Sequence, residues 1–246
     1  PPKEGEVALP LSSREIEESE DQGLSGEAAL WVEANWRATK SFNVVGGLRF
    51  NAWMGNFLAA SLDPRLTLRY EVIEGTELTL AGGMNHQAPT PDETSKSVGT
   101  QGLGPERSAY TTLGVQQDVG DYLVLSLQGF YKHLFDLVSP TGNELSGDRY
   151  NNKGVGYVVG GEFLARLNHE YVDGWVAYTL SRSIRRDQPG DPERFFSFDQ
   201  THVLAVVAGV KLPHGWRIGA RFRYTTGNPF TPLQPGYYDA AADVWV

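Results

Sequence analysis

The sequence predicts an all-β fold, a partial wall of an antiparallel transmembrane β-barrel with about ten strands and long loops at one end. Three observations predict it. From Glu27 onward hydrophobicity alternates with period two, so each run presents one apolar and one polar face. The runs are about ten residues or more, generous for a sandwich strand and suited to a tilted strand that crosses a bilayer. The connections alternate between short and long, trimming one end of the sheet and elaborating the other, as turns and loops do on the two sides of a membrane barrel.

The strands follow in order. "EAALWVEANWRA" sets Leu30, Val32, Ala34 and Trp36 against Trp31, Glu33, Asn35 and Arg37. "SFNVVGGLRFNAW" sets Phe42, Val44, Leu48 and Phe50 against Asn43, Val45, Arg49 and Asn51, and "LDPRLTLRYEV" sets Leu62, Leu66, Leu68, Tyr70 and Val72 against Arg65, Thr67, Arg69 and Glu71. Further strands are predicted at "ELTLAGGMNH", "AYTTLGVQQDV", "YLVLSLQGFYKHL", "GVGYVVGGEFLARL", "WVAYTLSRS", "THVLAVVAGVKL" and "WRIGARFRYTT". Pro64 has no N–H for a ladder, which predicts a bulge or a place near the loop rim. Between the strands, "TKS", "IEGT", "VGD" and "PHG" are short and "NHEYVDG" is moderate; long loops are predicted around residues 86–107, 139–153, 182–198 and 227–246.

In the last strand, Trp216, Ile218, Ala220, Phe222 and Tyr224 alternate with Arg217, Gly219, Arg221 and Arg223. In a membrane wall the first series meets lipid, with Trp216 and Tyr224 as interfacial anchors. An arginine facing hydrocarbon costs about 2–4 kcal/mol near the midplane, so the arginines face the interior. The same rule turns Arg37, Arg49, Arg65 and Arg69 inward. A soluble β-sandwich binding module shares this alternation and is the alternative on pattern alone.

Composition narrows the function classes. The formal net charge over 246 residues is −9, which argues against nucleic acid as a partner. Residues 1–27 hold −6 of it, so 1–26 is read as an acidic loop segment and 27–246 as the partial barrel. No apolar stretch approaches the roughly 18 residues of a membrane helix, and "PPKEGEV" is no signal peptide. Cysteine is absent, which removes thiolate metal sites and Cys nucleophiles.

Six segments carry a family likeness: "SLDPRLTLRY" (61–70), "NHQAPTPDE" (85–93), "GPERS" (104–108), "GFYKHLFDLV" (129–138), "FDQTHVL" (198–204) and "RFRYTTGNPFTP" (221–232). In this order and spacing the chain resembles the β-barrel of TonB-dependent outer-membrane receptors. The resemblance implies a barrel of about 22 strands closed by an N-terminal plug. It implies a place in the cell outer membrane and import of a scarce solute of the siderophore, cobalamin or glycan class, energised by TonB. The implied partners are outer-membrane lipid, the plug and remaining strands, TonB through the full-length receptor, and a small solute. No plug, TonB-contacting segment or closing strand is recognisable, and open edges in hydrocarbon are costly. The expectation is a fragment or one piece of a larger receptor; a passive outer-membrane channel is a further alternative.

No catalytic constellation, cofactor or preformed metal site is predicted. "GVGYVVGGE" has the wrong spacing for a dinucleotide loop and no following helix, so its glycines are read as making room for bulky neighbours. The five histidines show no metal-ligand spacing. His86 and His202 lie near the long-loop end. "SRSIRRDQPGDPERFFSFDQTH" gathers Arg182, Arg185, Arg186 and Arg194 with Phe195, Phe196 and Phe198. Such residues grip anions and stack on rings; the plainer reading pairs the arginines with Asp187, Asp191, Glu193 and Asp199. The ligand-facing candidates in loops and lumen are therefore His86, Arg107, Arg182, Arg185, Arg186, Arg194, His202, Arg221 and Arg223.

Overall fold

The computed structural model describes residues 26–55, 57–96, 99–141, 149–230, 238–239 and 244–245. Apart from Gly26, the acidic segment lies outside them. The chain divides into two compact units. Residues 21–229 hold one large sheet; residues 1–20 and 230–246 include the short antiparallel pair of β12 (Tyr238–Asp239) and β13 (Val244–Trp245).

The sheet is an antiparallel meander. It comprises β1 (Gly26–Arg37), β2 (Phe42–Met54), β3 (Ala59–Ile73), β4 (Thr76–Gln87), β5 (Glu106–Val119), β6 (Leu123–Pro140), β7 (Tyr150–Asn168), β8 (Val172–Arg186), β10 (His202–Lys211) and β11 (Arg217–Thr225). Neighbours in space are neighbours in sequence, and the two-residue β9 (Arg194–Phe195) adds to the loop end of β8. The sheet is not closed: β1 and β11 are its edges. Among the described residues there is no α-helix.

The alternation of connections is cleaner than the sequence suggested. "NHEYVDG" is mostly strand, because β7 runs to Asn168 and β8 starts at Val172, leaving residues 169–171 as a tight link. All the short turns thus lie at one end, with Gly75, Gly120 and Gly215 at positive φ. At the other end, β6 and β7 run to 18 and 19 residues, well past the predicted 122–134 and 154–167. A bulge near Leu134–Ser139 lets them continue out of register. Pro64 pairs across to Leu48, but β3–β4 pairing stops one residue away at Arg65–Gly83, so no β4 acceptor wants its missing N–H.

Cross-strand partners share a face, so the register sorts the side chains without ambiguity. One row runs Trp36, Val44, Leu68, Leu80, Leu113, Gly129, Gly161, Leu180, and the row below its far end runs Leu127, Phe163, Tyr178, Leu204, Tyr224. The opposite face carries Arg37, Arg49, Arg65, Arg69, Arg217, Arg221 and Arg223, the set assigned to it from the sequence. Among the described residues only Trp53, Leu103, Leu134 and Ile184 are buried large hydrophobics, whereas Leu30, Leu66, Leu80, Leu113, Leu127, Phe163, Ile218 and Phe222 on the apolar face are all exposed. Leaving such a side chain in water forgoes about 1.5–3 kcal/mol. Eight of them together forgo about 12–24 kcal/mol, as large as the whole roughly 5–15 kcal/mol by which a domain is stable. No second layer of described residues covers this face. A β-sandwich would need one; hydrocarbon supplies the same burial.

Candidate functional site

The loop end is built by side chains that tie the long connections to the strand tips. At the start of β7, Asn152 accepts a hydrogen bond from the Gly104 N–H (2.7 Å) and donates to the carbonyls of Gly104 (3.0 Å) and Asp136 (2.9 Å). Thr100 Oγ1 accepts the Tyr150 N–H at 2.8 Å. These bonds pin the β4–β5 loop against β6 and β7. On the other side, Ser139 Oγ donates to the Asp187 carbonyl (2.7 Å), and the Gln188 amide donates to the Pro140 carbonyl (2.8 Å) while accepting from Asn151 (3.0 Å). Two loops thus share one polar seam with the tips of β6 and β7.

The arginine-rich segment is folded upon itself. Arg194 grips Asp187 through Nε (2.7 Å) and Nη2 (2.8 Å), and this pairing raises its pKa above the ordinary guanidinium value. Arg185 lies over Phe196 and Arg182 over Phe195, with guanidinium-to-centroid distances of 4.6 and 5.3 Å. Buried Asp199 accepts the Ser183 N–H at 2.6 Å, and Asp191 accepts the Gln188 N–H at 3.1 Å. The plainer reading paired the arginines with Asp187, Asp191, Glu193 and Asp199; among the described residues only Asp187 pairs with one, while Asp191 and Asp199 accept backbone N–H groups. Phe198 is left exposed.

The other candidates separate by face. Arg221 and Arg223 lie on the polar face of β11, opposite Val207 and Ala205. Arg107, Arg182, Arg186 and His202 fall instead on the parity of the apolar face, toward its loop end, with Ile184 between the two arginines of β8. His86 is nearly buried and turned to Asp63, with Nδ1 2.5 Å from Oδ1; Asp63 also accepts from Asn51 at 2.8 Å. His202 is shared with the Tyr178 hydroxyl at 2.8 Å. The sequence did not point to Asp63, Asn152, Ser139 or Gln188. Their partners are remote along the chain, and a polar residue at a strand tip carries no local signal of what it will meet.

On the polar face a groove of about 370 Å³ crosses β4–β7, walled by Tyr110 and Phe130 and lined by Gln128, Lys132 and Glu162. It exists because glycines sit beside the aromatic rings. A Cβ on Gly160 would stand 2.5 Å from Phe130 Cζ, and one on Gly83 3.0 Å from the Tyr110 hydroxyl. In "GVGYVVGGE", Gly154, Gly156 and Gly160 make room for Leu137, Arg185 and Phe130, as the sequence reading held, whereas Gly161 has only an ordinary contact with the Gln128 carbonyl at 3.6 Å.

An apolar face left open on one side, an arginine-bearing face on the other and a rim of tied loops define a wall segment of a membrane β-barrel. The family described as "TonB dependent receptor-like, beta-barrel" matches residues 10–244, and the chain belongs to it. No curated protein matches by sequence. Among solved structures, the FrpB iron transporter from Neisseria meningitidis shares 18% identity, with a TM-score of 0.67, over 82% of this chain and 33% of that one. The alcaligin outer-membrane receptor FauA from Bordetella pertussis shares 14% at a TM-score of 0.63, over 84% and 38%. The copper transporter OprC shares 17% at a TM-score of 0.63, over 82% and 34%. The chain spans about a third of the length of these structures, and their likeness shows the fold.

Proposed function

We propose that this chain is barrel wall of an outer-membrane receptor that takes up a scarce solute with energy delivered by TonB. The proposed solute is of the siderophore, cobalamin or glycan class. The plug, the remaining strands and the TonB-contacting segment belong, in this reading, to the full-length receptor, with residues 27–246 as its partial barrel. The observation that carries it is the sorting of ten registered strands into an exposed apolar face and an arginine-bearing face. Only a lipid exterior and an aqueous or protein-filled bore satisfy both. Family membership supports receptor over generic barrel. The similar structures include an iron transporter, a copper transporter and an alcaligin receptor.

The ligand-facing candidates with best support are Arg185, with Phe196 beneath it, and Arg194 at the rim, followed by Arg221 and Arg223 on the bore side. Binding and gated passage require no covalent chemistry. The test is uptake by cells expressing the full-length receptor, offered labelled ferric siderophores, cobalamin and oligosaccharides, with TonB present or deleted. The reading expects accumulation of one solute class that vanishes without TonB. Accumulation indifferent to TonB favours a passive channel, and no localisation to the outer membrane sinks the proposal.

A further inference from the structure

The apolar-face series of neighbouring strands end alike on the loop side. On β5, Val115, Leu113, Thr111 and Ala109 lead to Arg107; on β6, Leu127, Gly129 and Tyr131 lead to His133 and then Phe135; on β8, Val176, Tyr178 and Leu180 lead to Arg182, the buried Ile184 and Arg186; on β10, Val206 and Leu204 lead to His202. At the turn end the same four series finish in Val119, Leu123, Val172 and Val210, with no basic residue among them. The belt of arginine and histidine side chains is therefore one-sided.

Within the belt, Arg107 is paired with Asp136 and His202 with Tyr178. Arg182 and Arg186 have no ion pair among the described residues. Arg182 is exposed and lies over the Phe195 ring at 5.3 Å. Arg186 is half-buried, and its Nε is buried with no hydrogen-bond partner among the described residues. The two stand on one side of β8, about 13 Å apart at roughly 3.3 Å per residue. Tyr131 shares the cross-strand row of Arg182 through Val159, and its ring stacks with that of Tyr157 at 6.3 Å. Amphipathic rings of this kind sit at headgroup depth.

We propose that Arg182 and Arg186 form a binding strip for the phosphate-bearing headgroups of the lipid leaflet on the loop side. The face parity turns them away from the bore, which removes them from the solute path. Val159 lies beside Arg182 in its row and Leu180 one step turnward, so an anion gripped here has its acyl chains against the apolar band. A guanidinium meets phosphate with paired, charge-assisted hydrogen bonds, and neither arginine has an ion pair among the described residues to compete with one. The inference rests on the barrel-wall reading above and is independent of which solute is carried.

The experiment uses the full-length receptor inserted into vesicles of phosphatidylcholine alone, or of equal parts phosphatidylcholine and phosphatidylglycerol. Heat-modifiable migration reports insertion, and the lipid retained on extraction is counted by native mass spectrometry. Wild type is expected to retain phosphatidylglycerol selectively, with that preference falling about fivefold for each arginine replaced in Arg182→Gln and Arg186→Gln. Arg182→Lys with Arg186→Lys restores part of it, and Arg221→Gln with Arg223→Gln, on the other face, leaves it unchanged. Added inorganic phosphate does not displace the lipid; if it does, the strip is a site for free anions and the proposal fails. Equal retention by wild type and the double Gln variant, both inserted, overturns this inference alone. Failure of wild type to insert overturns it together with the barrel reading.

Discussion

Arg65 on β3 reaches Glu33 on β1 with Nη2 2.6 Å from Oε2, passing over Gly47 of the strand between them. The three residues share one cross-strand row, and the missing side chain in the middle is what lets the outer two meet. A Cβ at Gly47 would lie 2.6 Å from Arg65 Nε. Both partners are about half exposed, so the pair itself contributes at most about 1 kcal/mol after solvent screening. Forcing the stem of Arg65, whose Cγ would lie 2.9 Å from that Cβ, off its rotamer adds about 0.5–1.5 kcal/mol. Gly47→Val is therefore expected to destabilise the full-length receptor by more than Glu33→Gln, the latter staying below about 1 kcal/mol. Urea unfolding in detergent compares the two, and equal effects would show that the space over Gly47 is immaterial.

A second pair of glycines separates crowding from strand propensity. Gly160 has Phe130 Cζ, the Leu180 carbonyl and Ser181 Cβ within 2.8 Å of where a Cβ would stand, whereas Gly129 has nothing within 4 Å. Gly160→Ala is expected to cost about 1–3 kcal/mol through forced repacking. Gly129→Ala, on the apolar face, is expected to gain about 0.5–1 kcal/mol from the reduced entropy of the unfolded chain. Unfolding midpoints of opposite sign test the contrast; a loss at both positions would refute it.

How far the fold was legible follows from what a strand can disclose. Period two in "WRIGARFRY" fixes which residues share a face, and the register confirmed it for each of the seven arginines from Arg37 to Arg223 that were turned inward. Strand ends were less legible. β6 and β7 continue past their apolar runs because Ser139, Asn151 and Asn152 bond to loops 88–105 and 187–193, partners that no local pattern announces. The rim candidates suffered for the same reason. Arg182 and Arg186 read as loop residues in sequence; parity counted from Tyr178 and Leu180 puts them on the apolar side.

The polar seam predicts a local effect with little global one. Asn152→Ala removes three hydrogen bonds and leaves the Gly104 and Asp136 backbone groups short of partners, at about 1–3 kcal/mol for each group that water does not reach. The expected outcome is a new protease cut within residues 88–105 in intact cells, with heat-modifiable migration unchanged. Asn152→Asp keeps the acceptor for the Gly104 N–H and loses both donated bonds, so it should open the loop to a lesser degree. A loop equally resistant in wild type and Asn152→Ala would show that the seam does not hold it.

The sidedness of the sheet gives the sharpest test, because adjacent residues on one strand must respond in opposite ways. Leu113 is exposed on the apolar face of β5, paired with Leu80 and Gly129, while Thr112 beside it points into the groove with Phe130 and Gln128. If hydrocarbon covers the apolar face, Leu113→Arg places a charge near the midplane and costs about 2–4 kcal/mol, while Arg at Thr112 meets an aqueous or protein-lined bore. A soluble module reverses the ranking, since an exposed Leu113→Arg would then be nearly neutral and the groove position would suffer. Unfolding free energies of Leu113→Arg and Thr112→Arg in lipid vesicles decide between them. The barrel-wall assignment requires Leu113→Arg to be the more damaging by at least about 2 kcal/mol, with a matching fall in membrane insertion yield.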